Sequence, residues 1–210
     1  MYLPAHFEEP RPDELIPTIA AFPLGALVTS GPAGLDANHI PFLVDREGER
    51  TTLLAHVARA NPLWQEAREA QDVLVIFGAG DAYVSPNWYP SKHESHKLVP
   101  TWNYRVVHVH GRLRIRDDER FVRGVVARLT KTHEAGTGSP TPWKMTDSAP
   151  EFIDDMLTKI VGIEVEVVRM VGKWKLSQNR ERRDLVNAAG ELGRRGEIAL
   201  ADAMLKAVDG

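Results

Sequence analysis

Tyr104-Arg105-Val106-Val107-His108-Val109-His110-Gly111-Arg112-Leu113-Arg114-Ile115-Arg116 is the most regularly patterned segment of the chain. Val107, Val109, Leu113 and Ile115 fall on one side of an extended backbone, and His108, His110, Arg112, Arg114 and Arg116 on the other. That period of two belongs to a β-strand with one face in a core and one face polar. The segments before it are also extended. Residues 25–30 form a short apolar run that ends in the turn Gly31-Pro32-Ala33-Gly34. Residues 35–45 and 51–57 flank Arg46-Glu47-Gly48-Glu49, a hairpin connection. Residues 73–77 are apolar throughout, as in a strand covered on both faces, and 81–85 follow Gly78 and Gly80. Beyond the central segment, 163–170 and 173–176 read as a strand pair joined at Val171-Gly172.

Helices interrupt this pattern. Asp13 is placed to cap a helix carrying Leu15, Ile19 and Phe22, with Pro17 in its first turn and Pro23 as its stop. Asn61-Pro62 signals a helix running to about residue 70. Asp117 or Asp118 caps another, in which Phe121, Val125 and Leu129 form a stripe backed by Val122 and Val126. A helix starting near Ser148-Ala149-Pro150 is expected to bury Phe152, Met156 and Ile160, and a last one over 197–208 carries Ala201, Met204, Leu205 and Val208. Strands without regular βαβ crossovers favour a mainly β protein, an antiparallel barrel with peripheral α-helices, over a doubly wound sheet. The expected organisation is a barrel domain over 1–179 and a basic, alanine-rich helical tail over 180–210.

Composition narrows the chemistry. The 210 residues carry 26 Lys+Arg against 29 Asp+Glu, a formal net charge of −3, and 43% are hydrophobic, which fits a soluble globular protein. The apolar runs fall far short of the roughly 20 residues that span a bilayer, and no signal peptide is visible at Met1-Tyr2-Leu3-Pro4. The absence of cysteine removes disulfides, thiolate nucleophiles, Cys-ligated zinc and iron–sulfur clusters, and makes the cytoplasm the simplest compartment. Near-balanced charge argues against wholesale nucleic-acid binding. Neither a dinucleotide-binding glycine motif nor a P-loop is present, nor the serine-hydrolase or zincin signatures.

Four segments carry polar chemistry. In His56-Val57-Ala58-Arg59-Ala60-Asn61-Pro62 a strand runs into a helix start, where imidazole, guanidinium and backbone N–H groups suit a phosphate; a surface ion pair is the plainer alternative for Arg59. Tyr83-Val84-Ser85-Pro86-Asn87-Trp88-Tyr89-Pro90-Ser91-Lys92 sets aromatics, hydroxyls and a lysine on a proline-stiffened loop. Val99-Pro100-Thr101-Trp102-Asn103-Tyr104 and Lys173-Trp174-Lys175-Leu176-Ser177-Gln178-Asn179 repeat that grammar, although each tryptophan alone is explained as core. Aromatic faces beside amides, hydroxyls and cations suit a planar heterocycle with a charged tail.

These segments, with Met1-Tyr2-x-Pro4-x-His6-Phe7, Gly34-Leu35-x-Ala37-Asn38-His39-Ile40-Pro41-Phe42 and Ile160-Val161-Gly162-Ile163-Glu164, resemble the PaiB-type FMN-binding proteins of the split β-barrel class. The resemblance runs from Met1 to about Asn179. It implies a Greek-key split barrel that forms a homodimer, with FMN at the subunit interface. It assigns the phosphate to His56, Val57, Ala58, Arg59 and Asn61. The isoalloxazine falls to Asn38, His39, Thr101, Trp102 and Asn103, with Gln178 and Asn179 of a partner subunit; Ser85 joins the cofactor set, and Lys173 or Lys175 supplies a cation to the flavin. The family name implies negative transcriptional regulation of protease synthesis and sporulation. A flavin-dependent oxidoreductase or flavin reductase-like enzyme is the alternative, with no residue standing out as a substrate acid or base. Two further readings stay open. Lys173, Lys175, Arg180, Arg182, Arg183, Arg194 and Arg195 could contact DNA, diluted by Glu181, Asp184 and Glu191 and without a helix-turn-helix. His93-x-x-His96 and His108-x-His110 could serve a haem or metal; no metal site is assigned.

Overall fold

The computed structural model describes residues 1–207, apart from the side chains of His93 and Ser95. In chain order the elements are β1 (Glu8–Glu9), α1 (Pro12–Ala21), β2 (Leu24–Gly31), β3 (Gly34–Pro41), β4 (Leu43–Glu47), β5 (Arg50–Ala58), α2 (Leu63–Glu66), β6 (Gln71–Val84), α3 (Lys92–Ser95), β7 (Thr101–Arg116), α4 (Glu119–Ala135), α5 (Pro150–Thr158), β8 (Ile160–Lys175), α6 (Arg182–Arg194) and α7 (Ile198–Lys206). The strands join in the order β3-β2-β6-β7-β8-β5-β4, with β1 added to β8. The expected class, mainly antiparallel β with peripheral helices, is the one observed. Among the described residues no helix is long and apolar enough to cross a membrane.

The residues gather into two compact units, one of Met1–Ala21, Gly78–His108 and the chain from Val171 onward, the other of Phe22–Phe77 and Val109–Met170. The second unit is built on β2 to β5 and the adjoining parts of the long strands. Leu27, Leu53, Val75, Phe77, Val109, Ile163 and Val165 are completely buried there, so the alternation read in the central strand does point one face inward. Asp118 caps α4 by accepting the Phe121 N–H at 2.8 Å, and Val125 and Leu129 pack with Leu54, Leu43 and Phe121. Three expectations are corrected here. The strand read over 35–45 breaks at Phe42, whose N–H bonds Pro23 O at 2.9 Å and whose ring meets Phe77 edge-on at 5.8 Å. The helix expected from Asn61-Pro62 to residue 70 is the single turn α2, because the chain becomes extended at Ala67. Helix α5 buries Leu157 and leaves Phe152 and Met156 exposed, so a different side from the one expected is covered, and Ile160 opens β8 instead of ending the helix.

In the first unit α1 starts at Pro12, immediately after Arg11, whose carbonyl accepts the Leu15 N–H at 3.1 Å. Pro12 therefore takes the first helical position, and Pro17 lies in the interior, not in the first turn. Strand β8 runs unbroken through Val171-Gly172, where a turn was expected. The glycine is required there because a Cβ would lie 2.4 Å from the Leu15 side chain and 2.7 Å from Glu9 O. Beyond Asn179 the chain is helical. Leu185, Ala188, Ala189 and Leu192 of α6 and Leu200, Ala201 and Met204 of α7 share a core with Val84, Tyr89 and Leu176. Of the stripe expected on the last helix, Leu205 is exposed and Val208 lies outside the described residues.

Candidate functional site

The structure divides the expected site residues into two groups. In the second unit, β5 pairs with β8 with His56 opposite Gly162, Val57 opposite Val161 and Ala58 opposite Ile160, so the backbone of Val57 and Ala58 belongs to the ladder. One residue on, the Arg59 N–H donates to Lys159 O at 2.8 Å. The guanidinium is then fixed by two more carbonyls of the same stretch, Nε to Thr158 O at 2.7 Å and Nη2 to Ile160 O at 3.2 Å. Its remaining edge forms a two-pronged pair with Asp117, Nη1 to Oδ2 at 2.9 Å and Nη2 to Oδ1 at 2.6 Å. Hydrogen bonding between them raises the Arg59 pKa and lowers that of Asp117. The expectation of an arginine open to phosphate is corrected to this extent: an internal carboxylate already occupies it.

The pair lies in a cleft of about 660 Å³ with Val122, Leu157 and Ile160 among its lining and the acidic start of α4 on one side. His56 has a buried Nδ1 with no hydrogen-bond partner, and burial lowers its pKa, which keeps the ring neutral near pH 7. Asn61 donates to Asn38 Oδ1 at 2.7 Å and accepts the Leu63 N–H at 2.9 Å, so two motifs separated in sequence meet. His39, next to Asn38 on β3, is exposed.

In the first unit the start of β7 meets the end of β8. Lys175 Nζ donates to Thr101 Oγ1 and to Trp102 O, the latter at 2.7 Å. Lys173 Nζ donates to Tyr2 O at 3.0 Å and lies 5.5 Å from the Tyr104 ring centroid. Burial, with the charge of Lys173 adding to it, pushes the Lys175 pKa down, although Tyr104 opposes this. Among the described residues no carboxylate pairs with either ammonium. Trp102 is 54% exposed and meets Tyr83 edge-on at 6.2 Å, leaving an aromatic surface at the residue whose carbonyl holds Lys175.

Three expected residues have other partners. Asn103 is fully buried and donates to Ser177 Oγ at 2.9 Å; that hydroxyl also lies 3.2 Å from the Tyr89 hydroxyl. The Asn103 amide is thus engaged within the core. Gln178 closes a local turn, accepting from Leu176 N at 2.7 Å and donating to Trp174 O at 2.5 Å. Ser85 accepts the Asn87 N–H at 3.2 Å and caps the short 3-10 turn Pro86–Trp88. Asn179 is exposed. Sequence reasoning missed the role of Asp117, which it treated only as a helix cap.

The basic residues of the C-terminal region are largely engaged within the chain. Arg183 pairs with Glu94 at 2.6 Å and Glu181 at 2.8 Å, Arg194 with Glu191 at 2.6 Å, and Arg180 and Arg195 lie over the rings of Tyr89 and Trp88. Among the described residues no group of three His, Asp or Glu is placed to hold a metal; the His93 side chain lies outside them.

Comparison with known proteins sets this geometry in context. The family described as "Putative FMN-binding domain" matches residues 1–169. The chain is 29% identical to Protease synthase and sporulation protein PAI 2 of Bacillus subtilis, over 91% of this chain and 89% of that protein. An uncharacterised protein of Emericella nidulans is 31% identical over 85% of this chain and 84% of its own length. Among solved structures, the FAD and haem binding protein of Mycobacterium smegmatis superposes with a TM-score of 0.57 at 17% identity, covering 80% of this chain and 73% of that one. The fold is the split barrel that the sequence led us to expect.

Proposed function

The chain belongs to the FMN-binding domain family, and from that premise we propose that it binds FMN as a homodimer, with the phosphate on Arg59 and the ring system served by Thr101, Trp102, Lys173 and Lys175. The carrying observation is the pair of ammoniums on β8. Lys175 is held at the exposed Trp102 by a hydroxyl and a carbonyl, Lys173 by a carbonyl, and among the described residues neither has a carboxylate partner, so an anionic ligand could balance their charge. A flavin meets that need, because its pyrimidine edge is electron-rich and gains negative charge on reduction. Arg59 fits the phosphate end because two backbone carbonyls orient it whatever its outer edge binds. His56 and Asn61 flank it in sequence, and Asn38, His39, Gln178 and Asn179 complete the proposed set. Bound flavin would supply one- or two-electron transfer. The chain's own residues bind and orient; none is assigned as a substrate acid or base.

The test is direct. After incubation with FMN and desalting, the protein should retain the oxidised-flavin bands near about 370 and 450 nm. Lys175→Gln should weaken retention roughly tenfold, the scale of one charge-assisted contact. Loss of all colour from the unsubstituted protein overturns the reading.

The regulatory role follows from likeness to the Bacillus relative, whose name refers to protease synthesis and sporulation. We propose a cytoplasmic, flavin-linked regulator in which flavin is the sensed group. Direct DNA contact by the C-terminal helices has little support, since Arg183 and Arg194 already hold carboxylates. A mobility shift with promoter DNA at low salt, where phosphate attraction is greatest, would bring DNA contact back.

A further inference from the structure

We propose that Asp117 is a specificity-determining residue of the flavin site: it holds the phosphate-binding edge of Arg59 as an internal anion, so that only a dianionic ligand displaces it. The inference rests on the proposed placement of the FMN phosphate at Arg59 and goes on to say what controls access to it.

The geometry resembles a bound ligand. Two carboxylate oxygens meet two guanidinium nitrogens at 2.9 and 2.6 Å, the fork-to-fork contact that Arg makes equally with carboxylate and phosphate. Asp117 also sits two residues before the 17-residue helix α4, at the end where an anion is favoured. The other carboxylates of the cleft have their own partners. Asp118 caps α4 and reaches Arg116, Glu119 and Asp154 share Arg123, and Asp155 pairs with Lys159. Among the described residues Asp117 has Arg59 alone as a salt-bridge partner, which makes it the group that a phosphate would replace.

Exchange is feasible because the pair is weakly held. Both side chains are more than a third exposed, at 39% and 44%, so water and salt screen their attraction. A phosphate monoester brings about −1.5 to −2 charges and three acceptor oxygens against one charge and two oxygens. Arg59 itself stays in place during the exchange through Thr158 O and Ile160 O. A neutral flavin without the phosphate makes no claim on Arg59, and a monoanion only matches Asp117. The competition thus discriminates a dianionic phosphate from a monoanion, at a cost in FMN affinity that riboflavin does not bear.

The experiment measures FMN and riboflavin affinity, by quenching of flavin fluorescence, for the unsubstituted chain, Asp117→Asn, Asp117→Ser, Arg59→Gln and Asp117→Asn combined with Arg59→Gln. Removing the carboxylate should raise the ratio of FMN to riboflavin affinity at least fivefold in both single variants, and the gain should vanish when Arg59 is also replaced. An unchanged or lower ratio in Asp117→Asn and Asp117→Ser, with Arg59→Gln still weakening FMN, overturns the competitor role while leaving the phosphate on Arg59. If Arg59→Gln binds FMN as the unsubstituted chain does, the placement on which the inference rests has failed, and the inference with it. Two variants at Asp117 guard against a folding defect in either.

Discussion

Asn61 and Asn38 are joined side chain to side chain, Asn61 Nδ2 donating to Asn38 Oδ1 at 2.7 Å, while Asn38 Nδ2 in turn donates to Asp36 at 2.8 Å. The same Asn61 accepts the Leu63 N–H at 2.9 Å, so one amide ties β3 to the turn that follows β5. Asn61→Ala removes both contacts from a partly buried position and should lower stability by about 1–2 kcal/mol in urea unfolding. Asn61→Ser keeps an acceptor for the Leu63 N–H and should recover part of that loss. Equal midpoints for Asn61→Ala and the unsubstituted chain would show that the bridge contributes nothing.

Gly162 stands opposite His56 in the β5–β8 ladder, and a Cβ there would come 2.5 Å from Phe121 Cδ1 and 2.6 Å from Arg116 O. The carbonyl belongs to the neighbouring strand and cannot swing aside as a side chain tip could. Gly162→Ala should therefore destabilise by about 2–3 kcal/mol, a fall of roughly 5–10 °C in Tm. Gly78→Ala is the matched control, because nothing lies within 4 Å of its added methyl. Similar melting of the two variants would refute the close-approach explanation.

The sequence and the structure part where an observation depends on what approaches from elsewhere. Alternation in the central strand is local, and it correctly placed Val107, Val109 and Leu113 in the core. Gly172 suggests a turn because glycine permits one; its actual cause is the approach of Leu15 and Glu9, which are remote in sequence. For α5, both Phe152 with Met156 and the side bearing Leu157 satisfy a helical period, and only the packed structure selects Leu157. Helix α6 was legible, since Leu185, Ala188, Ala189 and Leu192 follow i, i+3, i+4, i+7 spacing, but the surrounding charges obscured it. At the site, the phosphate-type chemistry of Arg59 could be read from its motif. Its partner could not, because Asp117 lies 58 residues away, at the end of β7, and meets it because β8 lies between β7 and β5 in the sheet.

Asn103 separates a core role from a cofactor role. Its buried amide bonds Ser177 and lies 3.4 Å from the Met204 sulfur, so truncation leaves a cavity and the Ser177 hydroxyl with Tyr89 as its remaining partner. Asn103→Ala should lower stability by about 2–4 kcal/mol while FMN affinity, measured below the melting range, changes less than twofold. A large loss of FMN affinity in a variant that still melts cooperatively would return Asn103 to the binding site.

His56 makes stability depend on pH in a definite direction. Its folded pKa lies below the usual value of 6.5 because the ring is buried, and its Nδ1 has no acceptor or donor to offset that burial. Between the lowered folded value and the unfolded value the unfolded chain binds more protons, so stability rises with pH across this window and falls as pH drops below about 6.5. His110 shifts in the same direction, chiefly through burial and then through Arg169, and contributes a second part of the slope. The carboxylates held down by arginine, Glu9 and Asp117, act in a lower window: their folded values lie below 4.5 and 3.8, and the stability they add is lost only as pH falls through those values. Denaturation midpoints at about pH 7.5 and about pH 5.5 isolate the histidines, because the carboxylates remain charged at both. His56→Leu should reduce the difference between the two midpoints without abolishing it, and adding His110→Leu should reduce it further. A difference untouched by His56→Leu would mean that the imidazole is already paired or solvated, and the burial argument for its neutrality would fall.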